Sequence, residues 1–210
     1  MRRTASASLL FTCAIPLIAG CGDGNQAPAA IAQQAPAAGT QQASASAREL
    51  TATLADPAGT KVGTVRFSEA EGGTQVSVQV TGLPPGFHGF HVHAVGRCEP
   101  NSANPADPSM TGNFLSAGGH IGAGKSDHGH HLGDLPILYV TESGTGSLTA
   151  VTDALTLADL TDADGSAVMV HAGADNFANI PERYAPGGPD ATTRNTGDAG
   201  GRIACGPVAG

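Results

Sequence analysis

Aromatic residues and positive charges are scarce in this chain of 210 residues. It has no tryptophan, two tyrosines and six phenylalanines, and its 10 basic residues stand against 18 acidic ones, for a formal net charge of −8. Such a surface offers few aromatic side chains on which bases could stack and few cations to neutralise phosphates. Nucleic-acid binding is therefore excluded as the main function.

The chain has an N-terminal apolar run, residues 9–18, that is too short to span a membrane. It follows Arg2 and Arg3, an order that is typical of a signal peptide. The run ends in Leu17-Ile18-Ala19-Gly20-Cys21, which has the form of a bacterial lipoprotein signal with Cys21 as the acylated residue. We predict a lipoprotein signal peptide at residues 1–20. An ordinary secretory signal is the alternative, and both export the protein.

Residues 21–47 consist mainly of Ala, Gln, Ser and Pro and hold one charged residue, Asp23. Such a segment has little apolar surface to offset the entropy lost when a backbone becomes ordered. We predict a flexible tether that joins Cys21 to one domain at residues 48–210. Lipid on Cys21 would anchor the protein to the outer face of the bacterial cell membrane, in the periplasm or cell envelope.

The 30 glycines and 14 prolines leave little room for long helices and favour a β domain with many turns. Eight segments, several with polar and apolar residues in alternation, are bounded by turn residues and predict strands: 50–54, 62–67, 76–80, 87–93, 137–141, 147–152, 167–171 and 202–205. Between them lie two long segments, 94–136 and 172–201, in which apolar residues do not recur at a regular spacing. Loops of that length are usually functional. The pattern predicts an all-β antiparallel sandwich or barrel with two long functional loops.

Of the four cysteines, Cys13 lies in the predicted signal and Cys21 is the predicted lipid site. The remaining pair, Cys98 and Cys205, favours a disulfide in an exported protein. Because this bond would close a long loop, loop-closure entropy gives it a contribution on the order of 4–5 kcal/mol. Two buried free thiols are the alternative.

All eight histidines lie between residues 88 and 171, and this clustering indicates a metal site. His91 and His93 are two positions apart on a predicted strand, so both imidazoles leave the same face and can converge on one ion. His88 has the opposite parity, and we expect a hydrogen-bonded structural histidine there.

More metal-ligating residue types follow in a glycine-rich loop, where His120, His128, His131 and Asp134 fall within 15 positions. Imidazoles with one carboxylate suit zinc, copper or nickel better than calcium or magnesium. His171 ends a predicted strand at the start of the second long loop. Residues 119–126 also fit the pattern of a phosphate-binding loop, but no helical period follows them, so nucleotide binding is rejected.

Several motifs in a fixed order carry a family resemblance: His88-Gly89-Phe90-His91-Val92-His93, Gly118-Gly119-His120, Gly133-Asp134-Leu135-Pro136, His171-Ala172-Gly173-Ala174-Asp175-Asn176 and residues 197–206. With them, residues 50–210 closely resemble the copper–zinc superoxide dismutases, especially the exported bacterial lipoprotein branch. The resemblance implies an eight-stranded antiparallel Greek-key barrel of the immunoglobulin-like sandwich type.

The same resemblance implies copper on His91, His93, His120 and His171. It implies zinc on His120, His128, His131 and Asp134, so that His120 bridges the two ions. Asp175 would hydrogen-bond ligands of both ions. Only two residues separate His128 from His131, fewer than is usual in the family, which leaves His130 as an alternative ligand and copper alone as an alternative metal content.

The implied activity is the copper-dependent disproportionation of superoxide to hydrogen peroxide and dioxygen outside the cytoplasm. A bridging His120 could leave the copper, take up a proton and return it to the forming peroxide. Arg202 would attract and orient superoxide near the copper. The alternative is a non-catalytic copper carrier or sink on the same fold. The oligomeric state is left open, with a homodimer as one alternative.

Overall fold

The structure is a computed structural model that describes residues 48–210, so the predicted signal peptide, the tether and Cys21 lie outside the described residues. The elements in chain order are β1 (Glu49–Ala55), β2 (Lys61–Ala70), β3 (Gly73–Thr81), β4 (Gly86–His88), β5 (Phe90–His93), β6 (Ser102–Ala103), β7 (Thr111–Gly112), β8 (Leu138–Val140), β9 (Thr145–Thr152), β10 (Ala167–His171), α1 (Ala191–Thr196) and β11 (Arg202–Ala209). Within this part of the chain, no helix is both long and apolar enough to cross a membrane.

Nine strands form one antiparallel sheet in the order β4-β8-β9-β3-β2-β1-β11-β10-β5. β4 and β5 lie at the two ends of this order, yet only Gly89 separates them in the chain. Residues 86–93 are therefore one bent strand whose first half pairs with β8 and whose second half pairs with β10. This strand nearly closes the sheet into a barrel of eight strands, which confirms the predicted all-β class and the eight predicted strand positions.

The connection from β3 to β4 has the Greek-key form. β4, β8 and β9 follow one another as neighbours, and β9 returns to pair with β3. The two long loops both leave the barrel near His93 and His171, which are the last residues of β5 and β10. Because β5 and β10 are antiparallel, with Ala167 opposite His93, the loops leave opposite ends of this short pair. The side chains of His93 and His171 nevertheless meet over one face of it, where their Nε2 atoms lie 3.4 Å apart.

The residue at the bend must be small, because other segments approach Gly89 closely. Its N–H donates to the carbonyl of Gly173 at 2.8 Å, and its own carbonyl accepts from the N–H of His171 at 2.8 Å. A Cβ atom at this position would lie 2.6 Å from the Cβ of Ala199. Any larger residue would therefore push the second long loop away from the barrel wall.

Side chains along β5 point alternately into the hydrophobic core and to the opposite face of the strand. Phe90 and Val92 point into the main hydrophobic core with residues of the other strands. His91 and His93 take the opposite face, as their spacing predicts. In β4, His88 lies between the carbonyl oxygens of His171 and Pro84, at 2.7 and 2.9 Å, which is the structural position that its parity predicts.

A smaller apolar cluster lies under the first long loop and contains Phe114, Ala117, Ala167, Met169 and Cys205, with Cys98 packed against it. Cys98 and Cys205 form the predicted disulfide, with their Cα atoms 5.6 Å apart. The bond ties the first long loop to β11. The loop therefore has a covalent attachment close to Arg202.

The long loops contain short elements that the sequence does not predict. In the first loop, β6 and β7 pair into a two-stranded sheet. In the second, Asp190 caps α1 by accepting a hydrogen bond from the N–H of Thr193 at 2.9 Å. These elements are too short to show a period. β11 also continues beyond the predicted 202–205, because the edge of β1 pairs with it past Gly206 and Pro207.

Candidate metal centre

Four buried imidazoles form a first ligand set of His91, His93, His120 and His171, in which the ligand atoms lie within 4.8 Å of one another. β5 supplies His91 and His93, β10 supplies His171, and the first long loop supplies His120. The structure therefore brings together all four residues to which the resemblance assigns copper.

Hydrogen bonds decide which ring nitrogen is free in His93 and His171. Nδ1 of His93 lies 2.9 Å from the carbonyl of Gly118, and Nδ1 of His171 lies 3.0 Å from the carbonyl of Gly200. Both nitrogens must donate to these oxygens, which leaves each Nε2 with a lone pair. The two Nε2 atoms face each other at 3.4 Å, as two ligands of one cation would.

His91 presents the opposite nitrogen. Its Nε2 lies 2.6 Å from Oδ2 of Asp175, while its Nδ1 is buried without a hydrogen-bond partner. An unpaired buried polar atom costs about 1–3 kcal/mol, and a bound metal would remove that cost. The unpaired Nδ1 is therefore an observation that fits a metal at the first set.

A second ligand set converges on the carboxylate of Asp134. Its Oδ1 lies 2.9 Å from Nδ1 of His120, 3.1 Å from Nδ1 of His128 and 3.4 Å from Nδ1 of His131. Nε2 of His131 faces the carbonyl of Ser126 at 3.0 Å, so its Nδ1 keeps a lone pair. Nδ1 of His128 is buried, and the carboxylate of Asp134 is its near polar partner. These four residues are the ones to which the resemblance assigns zinc.

His91 also reaches this second group, because its ligand atom lies within 4.8 Å of those of His120, His128 and Asp134. We assign His131 instead, since its Nδ1 lies 3.4 Å from Nδ1 of His120. Nε2 of His91 is engaged by Asp175, so its one free nitrogen can serve one ion only. His120 differs, because its Nδ1 faces the second set and its Nε2 is left for the first.

The exposed His130 is not part of either set. Its carbonyl accepts a hydrogen bond from Oγ of Ser126 at 2.9 Å, and the neighbouring His131 is buried against Asp134. The short spacing between His128 and His131 therefore still allows both imidazoles to reach one carboxylate. Of the two alternatives in the sequence, the geometry favours His131.

Asp175 connects the two sets. One carboxylate oxygen lies 2.6 Å from Nε2 of His91, and the other lies 2.8 Å from Nε2 of His128. It also accepts the N–H of Phe177 at 2.7 Å. A carboxylate in this position fixes the orientation of both rings and leaves Nδ1 of each ring available to a metal.

Burial keeps three imidazoles of the first set neutral, those of His93, His120 and His171. It lowers the pKa of His171 to about 3 and that of His120 to about 4, with the nearby His91 adding to both effects. The pKa of His93 also falls well below its usual value, because of burial and of the nearby His120 and Arg202. These rings are therefore uncharged at pH 7, which is the form that binds a metal.

The second set carries charge instead. Burial alone would lower the pKa of His128, but hydrogen bonds to Asp134 and Asp175 raise it to about 9. Burial opposes ionisation of Asp134, but its hydrogen bonds to His120 and His128 outweigh this and lower the pKa of its carboxyl group. Without metal, His128 is therefore a cation held by two carboxylates, and a metal must displace its proton.

A cavity of about 690 Å³ opens above the first set, and its lining includes His93, His120, His171 and Arg202. Arg202 donates from Nη1 to the carbonyl of Phe114 and from Nη2 to the carbonyl of Gly118, both at 2.6 Å. These acceptors are neutral and do not cancel its charge. Burial lowers the pKa of Arg202 to about 10, so it remains a cation at pH 7.

Two phenylalanines in the site were missed by sequence reasoning. Phe114 has a left-handed backbone, with φ 58°, that aims its carbonyl at Arg202. Phe177 stacks on His128. Neither residue stands in a pattern of ligand types, and both roles depend on loop conformation, so no signal in the sequence could have found them.

Comparisons with known proteins agree with this geometry. The profile of the copper/zinc superoxide dismutase (SODC) family matches residues 61–208. A Cu-Zn superoxide dismutase of Mycobacterium tuberculosis is 49% identical over 170 residues, covering 77% of this chain and 70% of that protein. Another, from Mycolicibacterium paratuberculosis, is 42% identical over 201 residues, covering 92% and 81%. The Cu/Zn superoxide dismutase structure from Brucella abortus has a TM-score of 0.58 and 33% identity, over 76% of this chain and 99% of that one. This chain belongs to the copper/zinc superoxide dismutase family.

Proposed function

We propose that this chain is a superoxide dismutase that converts two superoxide anions and two protons into hydrogen peroxide and dioxygen. One observation carries the proposal: two ligand sets share His120 at the floor of an open cavity that the cation of Arg202 also lines. A copper carrier or sink needs neither a shared ligand nor a cation that attracts an anion.

The first set would hold copper, and the second would hold zinc. Four imidazoles suit copper, while three imidazoles and one carboxylate suit tetrahedral zinc. Copper supplies the one-electron chemistry with superoxide, and zinc has no redox chemistry of its own. The unpaired Nδ1 atom of His91 in the first set, and the convergence of three Nδ1 atoms on Oδ1 of Asp134 in the second, support this assignment.

Arg202 binds and orients the anion. Its guanidinium is held by two carbonyl oxygens rather than by a carboxylate, so its charge acts on the cavity. The chain carries a formal net charge of −8, so a cation at this point offsets the general repulsion of an anionic substrate.

His120 moves the proton at Nε2. This nitrogen faces the first set, while Nδ1 faces the second set and can hold the ring in place. A ring held at Nδ1 in this way can take up a proton at Nε2 and pass it to a basic peroxide oxygen in the cavity.

Metal analysis and kinetics of the purified protein test this function. We expect about one copper and one zinc per chain, and a rate of superoxide loss that falls about tenfold in Arg202→Ala and no longer decreases when salt is added. Arg66→Ala is the matched control, because Arg66 is 59% exposed and paired with Glu49 on the barrel. Bound copper without activity would favour the carrier. Activity with copper alone would contradict the zinc assignment only.

We also propose that residues 1–20 are a cleaved lipoprotein signal, that residues 21–47 are a tether and that lipid on Cys21 anchors the domain at residues 48–210 to the outer face of the bacterial cell membrane. The residue pattern around Cys21 supports this, as does the disulfide, since such bonds persist in oxidising compartments. Mass spectrometry of the mature N-terminus should find an acylated Cys21, and Cys21→Ser should release the protein from membranes. An unmodified or uncleaved N-terminus would contradict the anchor.

A homodimer is our proposal for the oligomeric state. It is supported by Phe87 and Tyr139, which are 52% and 51% exposed and whose rings lie 4.9 Å apart on β4 and β8. Aromatic residues are enriched at interfaces. Sedimentation should give twice the chain mass, falling to the chain mass in Phe87→Glu. A wild-type protein that sediments as a single chain would exclude the dimer.

A further inference from the structure

The ring of Phe177 lies over the imidazole of His128, on the outer side of the second ligand set. The two ring centroids are 6.2 Å apart, and the ring planes are within 15° of parallel. The side chain of His128 is 0% exposed, whereas Phe177 is 39% exposed. The phenyl ring therefore stands between a predicted zinc ligand and the solvent.

The backbone holds Phe177 in an unusual conformation. Phe177 and the next residue, Ala178, have φ values of 54° and 53°, in the left-handed region that costs about 1–2 kcal/mol for a residue with a Cβ. The N–H of Phe177 donates to Oδ1 of Asp175 at 2.7 Å, and this carboxylate also binds His128. Two adjacent strained residues persist only where their surroundings hold them, so the contacts of the loop determine the position of the ring.

The first long loop closes against Phe177 from the other side. Gly129 has φ 89°, and a Cβ atom there would lie 2.9 Å from the carbonyl oxygen of Phe177. The N–H of Gly129 donates to Oδ2 of Asp134 at 2.7 Å. The two loops therefore meet at this point, and each is also bonded to a carboxylate that contacts the zinc ligands.

A surface concavity of about 550 Å³ lies at the same place and is bordered by Asp127, His128, His130, Phe177 and Pro189. It is separate from the cavity above the first set, whose lining contains His93 and His171 but not His128. In the described part of the chain, the two concavities thus share no lining residue, and the second one meets the second set at His128. At its rim, the exposed Asp127 lies 4.0 Å from Nε of Arg194.

We propose that Phe177 is a positioning residue that caps the second ligand set and slows the exchange of zinc with solvent. This inference rests on the proposed zinc assignment. The ring offers no ligand atom, so it acts on the passage of the ion and on the orientation of His128. Removing the ring should therefore accelerate both uptake and release, with a smaller effect on affinity than on either rate.

The rate of zinc release from the full metal-loaded protein to a chromogenic chelator tests the cap. We expect release to be faster from Phe177→Ala than from wild type by about an order of magnitude, the scale on which groups behind the ligands act on a metal site. Phe177→Tyr should restore the wild-type rate, because it keeps the ring. Tyr184→Ala is the matched control, because Tyr184 lies in the same loop and is 74% exposed.

Each other outcome has a distinct meaning. Equal release from wild type and Phe177→Ala would overturn the cap and leave the zinc assignment intact, whereas a wild-type protein that binds no zinc would overturn both. If Tyr184→Ala released zinc as fast as Phe177→Ala, general loosening of the loop would be the cause and the cap would fail. Should Phe177→Ala not fold, Phe177→Leu keeps an apolar side chain without the ring and must still release zinc faster.

Discussion

The two ligand sets share His120 but are built from different parts of the fold. The first takes three of its four histidines from β5 and β10, which pair with each other in the barrel wall. The second takes all of its residues from one glycine-rich loop, which is held by its own hydrogen bonds and covered by the second long loop. Rigid strands thus support the set that is open to a cavity, and loops enclose the other.

The sets also differ in charge. Burial keeps His93, His120 and His171 of the first set neutral, and the open side of this set meets the cation of Arg202. The second set pairs the carboxylate of Asp134 with a protonated His128 until a metal replaces the proton. The first set is open and lies beside a positive charge, which suits a reaction with an anion. The second set is enclosed, which suits an ion that only holds a ligand in place. The site that would react with superoxide is therefore built mainly on strands, and the site that would hold the shared histidine in place is built on loops.

The largest expected effect comes from removing the shared residue. His120→Ala takes a ligand from both sets and also removes the proton carrier, so the rate of superoxide loss should fall by about 10²–10⁴-fold. Zinc binding should weaken in the same variant. Pulse radiolysis and elemental analysis measure the two effects.

Matched variants show whether the sets are separable. His93→Ala should impair copper binding alone, His131→Ala should impair zinc binding alone, and the exposed His130→Ala should change neither. If His93→Ala and His131→Ala lost both metals equally, the two sets would behave as one site and the contrast between them would fail.

Loss of the disulfide is expected to come next in size. Replacing Cys98 and Cys205 by serine should lower the free energy of unfolding of the metal-free protein by about 2–5 kcal/mol, because the unfolded chain gains freedom. The bond packs with Phe114, whose carbonyl holds Arg202, so this change acts on the side of the first set. Urea denaturation gives the stability, and zinc affinity should remain at the wild-type value. A matching loss of zinc affinity would show that the bond supports both sets.

The pH dependence of metal binding should differ between the sets. The pKa of His128 is raised to about 9, so zinc must displace one proton below that pH, and its affinity should fall about tenfold per unit as the pH decreases from 8 to 6. The pKa values of His171 and His120, at about 3 and 4, predict little change for copper over the same range. Competition titrations, corrected for protonation of the chelator, give both slopes. If zinc and copper affinity changed equally with pH, the difference in charge between the two sets would be contradicted.

The smallest effect concerns strain in the loop that covers the second set. Ala178 has φ 53°, and glycine accepts this conformation without a Cβ penalty, so Ala178→Gly should raise the free energy of unfolding by up to about 1 kcal/mol. Ala158→Gly is the control, since Ala158 has φ −71° and its replacement should lower stability. Denaturant titration compares them, and a loss in both variants would mean that the strain is not relieved.

The barrel could be predicted from the sequence because its longer strands alternate and turn residues bound its short ones, such as β8. All eight predicted segments are strands, and His91 and His93 share a face as a period of two requires. α1, β6 and β7 escaped prediction because they lie inside the long loops, where no alternation marks them, and contacts within those loops stabilise them.

The ligands of the two sets could be predicted from the sequence only in part. Spacing on β5 indicates a shared ion from physical reasoning alone, whereas the partition of ligands between two ions came from the family resemblance. The choice between His130 and His131 needed the structure, because it depends on which ring the loop turns toward Asp134. Phe114 and Phe177 could not be predicted, since their roles arise from left-handed backbones and contacts across loops.

The bend at Gly89 has a further consequence for the behaviour of the protein at high concentration. Because one strand pairs with β8 through its first half and with β10 through its second, the main sheet leaves little of its rim unpaired. Free strand edges are the usual templates for aggregation between copies. The same glycine that lets the second long loop approach the histidines therefore also protects the barrel from edge-to-edge assembly.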